Sequence, residues 1–474
     1  MKSLNRKSAA IDKNHPVKVI QFGTGNFLRG FADWIIDLMN EKSGFDGSVQ
    51  LVQVHGKKPA TSLIDQEGLY TLLIRGYQNG ETIDESRLIT CISGTINPYL
   101  EYEAFLKLGE LSELEWIISN TTEAGIFVDS SDSDSGQTPT SFPGKLTALL
   151  YRRFEYFQGK SHKTIHVLPC ELIEQNGAKL KEAVLAYAKL WKLAEGFFSW
   201  VEAEVKFYNT LVDRIVPGFP TDEAEAIQEK LGYTDELMVV AEPYHFWAIE
   251  GPESLQELFP AATLGLDVIM VNDLQPYRTR KVRILNGAHT TLVPVAYLKG
   301  LRFVGDAMND PEVEEFLKSA LSTEIIPSIN LPKEELEKFA EAVLDRFRNP
   351  FVKHQLSAIA LNSISKFKVR VLPSVLEYIK KEDKLPILLL RSLAALLVFY
   401  SGLYKGAVIP VNDIPDVMAF FKEAWKAADP YEVVPTILAN TSLWGQDLNQ
   451  YPGFSDRVIK EVIDLLGQEK TVRG

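Results

Sequence analysis

The sequence predicts an α/β N-terminal half with a mostly parallel, doubly wound sheet, followed by an all-α C-terminal half. Three observations predict this. Short β-rich runs alternate with helical patterns in the first part of the chain. Strand patterns become scarce after Arg280. The length of 474 residues exceeds what a single core usually organises. The texture changes between these halves, so the expected domains are 1–277 and 278–474.

The opening segment "VKVIQFGTGNFLRGFADWIIDLMN" reads as a buried strand, a glycine turn and one amphipathic helix carrying Phe31, Trp34, Ile35 and Leu38. "SVQLVQV" predicts a second strand ending near Val54. "EWIISN" and "KTIHVLPCEL" predict a third and a fourth, with a helix in "SFPGKLTALLYRRFEYF" between them. "DSSDSDSGQTPT" (129–140) is an acidic surface loop to which no chemistry is assigned. Beyond Arg280 the chain reads as successive helices, including "PKEELEKFAEAVLDRFRN" and "VKHQLSAIALNSISKF". The run "LPILLLRSLAALLVFYSGL" (385–403) is apolar, but Arg391 interrupts it and Pro386 suits the first turn of a soluble helix, so a buried core helix is expected.

Net charge is 50 minus 63, or −13, which argues against nucleic-acid and anionic-membrane surfaces while leaving room for a local cationic site. The two cysteines, Cys91 and Cys170, form no CxxC pair or disulfide framework, which suits a reducing, cytoplasmic setting. The seven histidines are scattered without metal-ligand spacing, so no metal is expected. The partner expected is a small molecule, and the state a monomer or small homo-oligomer.

Two constellations carry chemistry. In "GTGNFLRG" Gly23 and Gly25 fill the first two positions of the GxGxxG dinucleotide fingerprint, while Leu28 fills the third. The first glycine permits the tight turn and the second lets backbone amides approach a pyrophosphate. A plain βα turn would also use these glycines. No carboxylate follows the second strand to bind a ribose diol. His55, Gly56, Lys57 and Lys58 stand there instead, which leaves NAD against NADP open on the residues alone.

The second constellation is "KVRILNGAHT". On an α-helix at about 100° per residue, Asn286 falls about 140° and His289 about 80° from Lys281, so the three share one arc. A lysine can take an alcohol proton if its pKa falls from about 10.4 toward neutrality, and Arg278, Arg280 and Arg283 flank it. An asparagine amide can donate to a developing alkoxide, and a histidine can orient substrate or shuttle a proton. A solvated basic face with a core histidine is the alternative. The position at the seam of the two expected domains favours a site.

With these blocks in view, the chain resembles the polyol-specific long-chain dehydrogenases, the mannitol dehydrogenase family. "QFGTGNFLRGF", "NTLVDRIVPG", "KVRILNGAHT" and "RFRNPFVKHQLSAIALNSISKFKVRVLPS" carry the resemblance, and "SNTTEAGI" and "PCELIEQNG" are most similar to its uronate-reducing members. The resemblance implies a Rossmann-type N-terminal domain holding NAD at Ile20, Gln21, Phe22, Gly23, Gly25, Asn26, Phe27 and Arg29, with Glu123 near the nicotinamide. It implies Lys281 as general acid/base, Asn209 and Asn286 as an oxyanion pair, and His289 and Lys366 at the substrate. Without it, "NTLVDRI" would read as a strand end with Asp213 and Arg214 as a structural ion pair. Mannitol dehydrogenases carry an arginine eight residues before the "SK" lysine, where this chain has Ala358. The implied activity is NAD-dependent interconversion of tagaturonate and altronate, with fructuronate or mannitol as rival substrates. A hexuronate carboxylate needs a cation, and Arg348, Lys353 and His354 are candidates by location only. Competing classes are a lyase with Lys281 as Schiff-base nucleophile and a non-catalytic nucleotide sensor.

Overall fold

A computed structural model describes residues 1–12, 14–122, 124–132, 136–160 and 162–467. The chain divides into two compact units, one of residues 1–75 and 82–274, the other of 76–81 and 275–474.

The first unit is built on a six-stranded sheet. In spatial order its strands are Ile92–Ile96, Ser48–Val52, Val17–Phe22, Trp116–Ser119, Ile165–Pro169 and Val205–Phe207, all parallel. In chain order this is 3-2-1-4-5-6, the doubly wound arrangement expected of the sequence. Alternate side chains of each strand enter opposite cores. Val19, Leu51, Trp116 and Ile118 pack with the helix Ala32–Lys42, whereas Ile20, Phe22, Ile117 and Val167 pack with the helices Phe142–Tyr156 and Asn176–Leu190. Two three-stranded sheets were not read from the sequence, apart from Asn209–Asp213, which passes as a strand end. One joins Val239–Ala241, Tyr70–Gln78 and Glu81–Ile89; the other joins Asn209–Asp213, Phe246–Glu250 and Val268–Val271.

The helix expected after the glycine turn is broken. One turn, Asn26–Arg29, is followed by Gly30, Phe31 and then Ala32–Lys42. Side chains take the carbonyls that would continue the first turn. The Tyr70 hydroxyl donates to the Arg29 carbonyl at 2.7 Å, and Arg214 donates to the Gly30 carbonyl at 2.8 Å. Arg214 also donates to the Glu242 carbonyl at 2.9 Å and stacks 4.1 Å above the Trp34 ring. It therefore serves the fold through carbonyls and an aromatic face rather than as the ion pair with Asp213 that its sequence position suggested. The acidic loop is also better anchored than its composition implies. The Asp132 carboxylate is buried and accepts from the Thr140 and Ser141 amides and the Tyr187 hydroxyl.

Beneath the glycine turn, Gln21 donates to the Gly23 carbonyl at 3.1 Å and to the Asp33 carboxyl at 3.4 Å. Asp33 is fully buried, and loss of hydration lifts its pKa to about 7 despite Gln21 and Arg29.

The second unit is helical, as expected. Its centre is Ile387–Phe399, the apolar run of the sequence, packed against Gly287–Leu298 and Phe454–Leu466. The Glu324 carboxylate accepts from the first amides of this helix, Leu388 at 2.9 Å and Leu389 at 2.8 Å. Among the described residues no helix is long and apolar enough to cross a membrane. The single helix read from "VKHQLSAIALNSISKF" is two pieces, Leu356–Ile359 and Ser363–Arg370. Asn362 separates them in the left-handed region at φ 52°, and the Tyr400 hydroxyl takes the Ser363 amide at 3.0 Å.

Replacing Arg214 by Leu strands two buried carbonyls, and urea unfolding should register a loss of about 3 kcal/mol. Asp33 gives a pH signature. Its folded pKa of about 7 exceeds the ordinary 3.8, so the native state keeps a proton the unfolded chain has released. Stability from this group is full below about pH 4 and is lost as pH rises through about 7. Asp33→Asn should therefore gain stability over the wild type at pH 8 relative to pH 5, by a few kcal/mol at about 1.4 per pKa unit. An equal difference at both pH values would show that Asp33 is ionised throughout.

Candidate active site

The switch point of the sheet lies between Val17–Phe22 and Trp116–Ser119, where doubly wound folds open a ligand crevice. Gly23 follows the first of these strands with φ 120°, and a Cβ there would sit 3.0 Å from the Asn120 carbonyl. Only glycine fits this turn. Gly25 begins the short turn Asn26–Arg29 and faces open space. The Gly23 amide is taken by the Val52 carbonyl at 3.0 Å, so the backbone left for a pyrophosphate is that of Gly25 and Asn26. Ile20, Gln21 and Phe22 have wholly buried side chains, so any contact they make with a cofactor runs through the backbone. Phe27 stacks on Phe31 at 5.1 Å. Arg29 is a brace. It donates to the Leu237 carbonyl and the Asn26 side chain and lies over Tyr70.

The loop opposite is set by a buried acid. The Glu171 carboxylate, from "PCEL", accepts from the Ser119 hydroxyl and from the Thr121 amide and hydroxyl, each at 3.0 Å. Burial pushes its pKa up, and these bonds oppose the rise. Asn120 donates to the Cys170 carbonyl. The two motifs "SNTTEAG" and "PCELIEQNG" therefore interlock. Thr122 follows at φ 91°, a conformation that costs a β-branched residue about 1–3 kcal/mol and concentrates at functional sites. Glu123 lies outside the described residues.

At the end of the second strand, where a ribose-binding acid is missing, stands Gln53. Its amide donates to the carbonyls of His55 at 2.9 Å and Lys58 at 3.0 Å, folding the loop back. Its Oε1 is buried and accepts no hydrogen bond. A neutral acceptor is thus present at the place where a ribose hydroxyl needs one. Sequence reading missed it by looking for a carboxylate.

In the second unit the Lys-Asn-His segment departs from the expected α-helix. Gln275–Arg280 and Gly287–Leu298 are α-helical, but Lys281–Asn286 forms a π turn. Hydrogen bonding to the fifth residue places Lys281 and Asn286 on successive turns of one side, closer than the α-helical wheel allows. Such turns recur at functional sites. A Cβ at Gly287 would meet the Arg370 carbonyl at 3.3 Å, so the helix Ser363–Arg370 approaches here. Arg283 pins the turn by donating to the hydroxyls of Ser374 at 2.6 Å and Ser328 at 2.9 Å. Arg280 lies over the Phe339 ring at 4.4 Å. These arginines are packed, not a solvated basic face.

Asn286 is half-buried, and its side-chain amide makes no hydrogen bond to any described residue. His289 packs 4.0 Å from the Phe347 ring and 5.4 Å from the His354 ring. Loss of hydration, then His354, Arg346 and Arg370, hold its pKa well below the usual value, while a bond to the Leu285 carbonyl opposes them. His289 is therefore neutral at physiological pH. Lys366 donates to the Ile359 carbonyl at 2.8 Å, and burial and then Arg370 lower its pKa.

The structure thus gathers Lys281, Asn286 and His289 on one segment, with His354 beside it and the Lys366 helix packed on it. Two expected participants are otherwise engaged. Arg348 is bound by Glu314 at 2.7 Å and Asp345 at 3.1 Å. Asn209 lies in the first unit, where it donates to Glu250 at 2.7 Å and accepts from the Ala178 amide at 3.1 Å. Arg346 and Arg370, both acting on His289, were missed. The i,i+4 spacing of Lys366 and Arg370 was the available signal for the second.

Comparison with known proteins agrees with both units. The mannitol dehydrogenase Rossmann domain matches residues 17–260 and the mannitol dehydrogenase C-terminal domain residues 273–466. The chain is 47% identical to an altronate oxidoreductase of Bacillus subtilis (strain 168), covering 97% of this chain and 94% of that protein. It is 44% identical to an altronate oxidoreductase of Phocaeicola vulgatus, covering all of both. Among solved structures, a D-sorbitol dehydrogenase in substrate-free form superposes with a TM-score of 0.80 at 22% identity, covering 98% of this chain and 100% of that one. The Pseudomonas fluorescens mannitol 2-dehydrogenase ternary complex with NAD and D-mannitol gives 0.67 at 24%, covering 98% and 97%. These two structures speak for the fold. With both units matched in order and relatives aligned nearly end to end, the chain belongs to the mannitol dehydrogenase family.

Proposed function

We propose that this protein is an NAD-dependent oxidoreductase that interconverts altronate and tagaturonate. The altronate oxidoreductases it resembles along its length supply the substrate pair. The observation that carries the chemistry is the unbonded Asn286 amide, set on the same π turn as Lys281.

The cofactor would rest on the backbone of Gly25 and Asn26, beyond the tight turn at Gly23, with Gln53 at the ribose end. When bound, NAD supplies the acceptor for the hydride of the carbinol carbon. The remaining work falls to the protein. Lys281 in its neutral form removes the hydroxyl proton during oxidation and returns it to the ketone oxygen during reduction. The Asn286 amide donates to that oxygen as charge develops on it. Neutral His289 spends its one N–H on the Leu285 carbonyl and offers its other ring nitrogen as an acceptor to a substrate hydroxyl, without adding charge. Asn209 enters as a second oxyanion donor through the amide hydrogen that Glu250 leaves over, and Lys366 as a substrate contact.

A ketone panel of tagaturonate, fructuronate and fructose, each with NADH and NADPH, tests the reading directly. Tagaturonate with NADH should turn over fastest, and a win for fructose would sink the uronate assignment. Lys281→Ala should cut turnover by several orders of magnitude while NADH still binds. Borohydride trapping of substrate on Lys281 would point to a lyase instead. Oxidation by the wild type should speed up with rising pH and reduction should slow, since one needs neutral Lys281 and the other its protonated form.

A further inference from the structure

We propose that Arg370 is the cation that takes the substrate carboxylate, and so selects acids over neutral polyols. The inference rests on the hexuronate reading above and gives a role to a residue that lies within the last quoted block but to which neither the resemblance nor the spacing of the Lys-Asn-His segment assigns one.

Position is the first argument. The Arg370 backbone carbonyl makes the close approach to Gly287, next to Asn286. Arg370 follows Lys366 by one helical turn on the same face. Its charge reaches both Lys366 and His289, lowering the pKa of each.

Availability is the second. The other half-buried or buried cations near this place are occupied or uncharged, and Lys353 is exposed to solvent. Arg348 is held by Glu314 and Asp345, Arg283 by two serine hydroxyls, and Lys366 by the Ile359 carbonyl. Arg346 is buried and has partners of its own. Burial lowers the pKa of His354, so its ring is neutral near pH 7. Arg370 has neither a hydrogen bond nor an ion pair to a described residue, although it is half-buried. Burial draws its pKa down and no acid raises it. The carboxylate acting on Lys366, Asp413, is taken by the Tyr400 hydroxyl and the Ile414 amide.

Energy is the third. A desolvated guanidinium without a counter-ion is costly, and an incoming carboxylate removes that cost. The guanidinium fork also matches a carboxylate in two parallel hydrogen bonds. A neutral hydroxymethyl group at the same carbon would leave the charge uncompensated.

Steady-state kinetics of tagaturonate reduction decide it. Arg370→Gln should raise the KM for tagaturonate about 100-fold, the factor expected for a charged hydrogen-bonded pair, with a smaller change in kcat and with the KM for NADH within threefold. Arg370→Lys should recover at least tenfold of the lost affinity. An unchanged tagaturonate KM in Arg370→Gln overturns the proposal. So does a parallel rise in the NADH KM, or a loss in Arg370→Lys as deep as in Arg370→Gln, either of which marks a structural role. A wild type inactive on tagaturonate would instead overturn the functional reading itself, before any variant is compared.

Discussion

The first unit depends on one buried guanidinium. Arg214 reaches from the strand end after Asn209–Asp213 to the Gly30 carbonyl, the Glu242 carbonyl and the Trp34 ring. Burial draws its pKa down to about 9. Two carbonyls and a ring face offset the cost of burying this charge, although its Nη2 is buried without an acceptor. The helix after the glycine turn therefore breaks where Arg214 needs an acceptor. This fixes the short turn Asn26–Arg29 against the rest of the unit, and with it the backbone offered to a pyrophosphate. Glu171 plays the matching part across the switch point, holding Ser119 and Thr121. Both edges of the crevice are thus shaped by buried polar groups, which specify geometry more sharply than apolar contacts can.

Electrostatics in the second unit are organised around incompleteness. Loss of hydration first, and then the nearby cations, keep the His289 imidazole uncharged, and not every one of those cations is matched by an acid. The carboxylate binding proposed above would draw on this imbalance. If every arginine were matched by an acid, an incoming carboxylate would meet no net attraction. The global charge of −13 conceals the local excess.

Much of this was readable in the chain itself. Strands such as Val17–Phe22 and Ile165–Pro169 are short, apolar and bounded by turn residues, so their pattern survives in any context. The core helix Ile387–Phe399 was legible for the same reason. What escaped depends on groups distant in sequence. The break at Gly30 requires Tyr70 and Arg214, which no local window contains. Tyr70–Gln78 pairs on one side with Val239–Ala241, far along the chain, whereas Glu81–Ile89 pairs only with Tyr70–Gln78 through the Asn79-Gly80 turn, a local hairpin signal that sequence reading passed over. The π turn at Lys281 arises in an ordinary helical pattern, and its anchors are Ser328 and Ser374. Arg348 looked as available as Arg370 because sequence does not show which arginine meets an acid.

The helix Ile387–Phe399 carries a consequence for handling the molecule. Ten of its residues are buried, and they face every direction around its axis. Its first amides are satisfied by Glu324, from another segment of the unit. Any partial opening of the second unit releases an all-round apolar cylinder that has lost its cap. Such a surface finds a neighbouring chain as readily as its own partners. Recovery from denaturant is consequently governed by protein concentration, and dilution favours the return to the native state over aggregation.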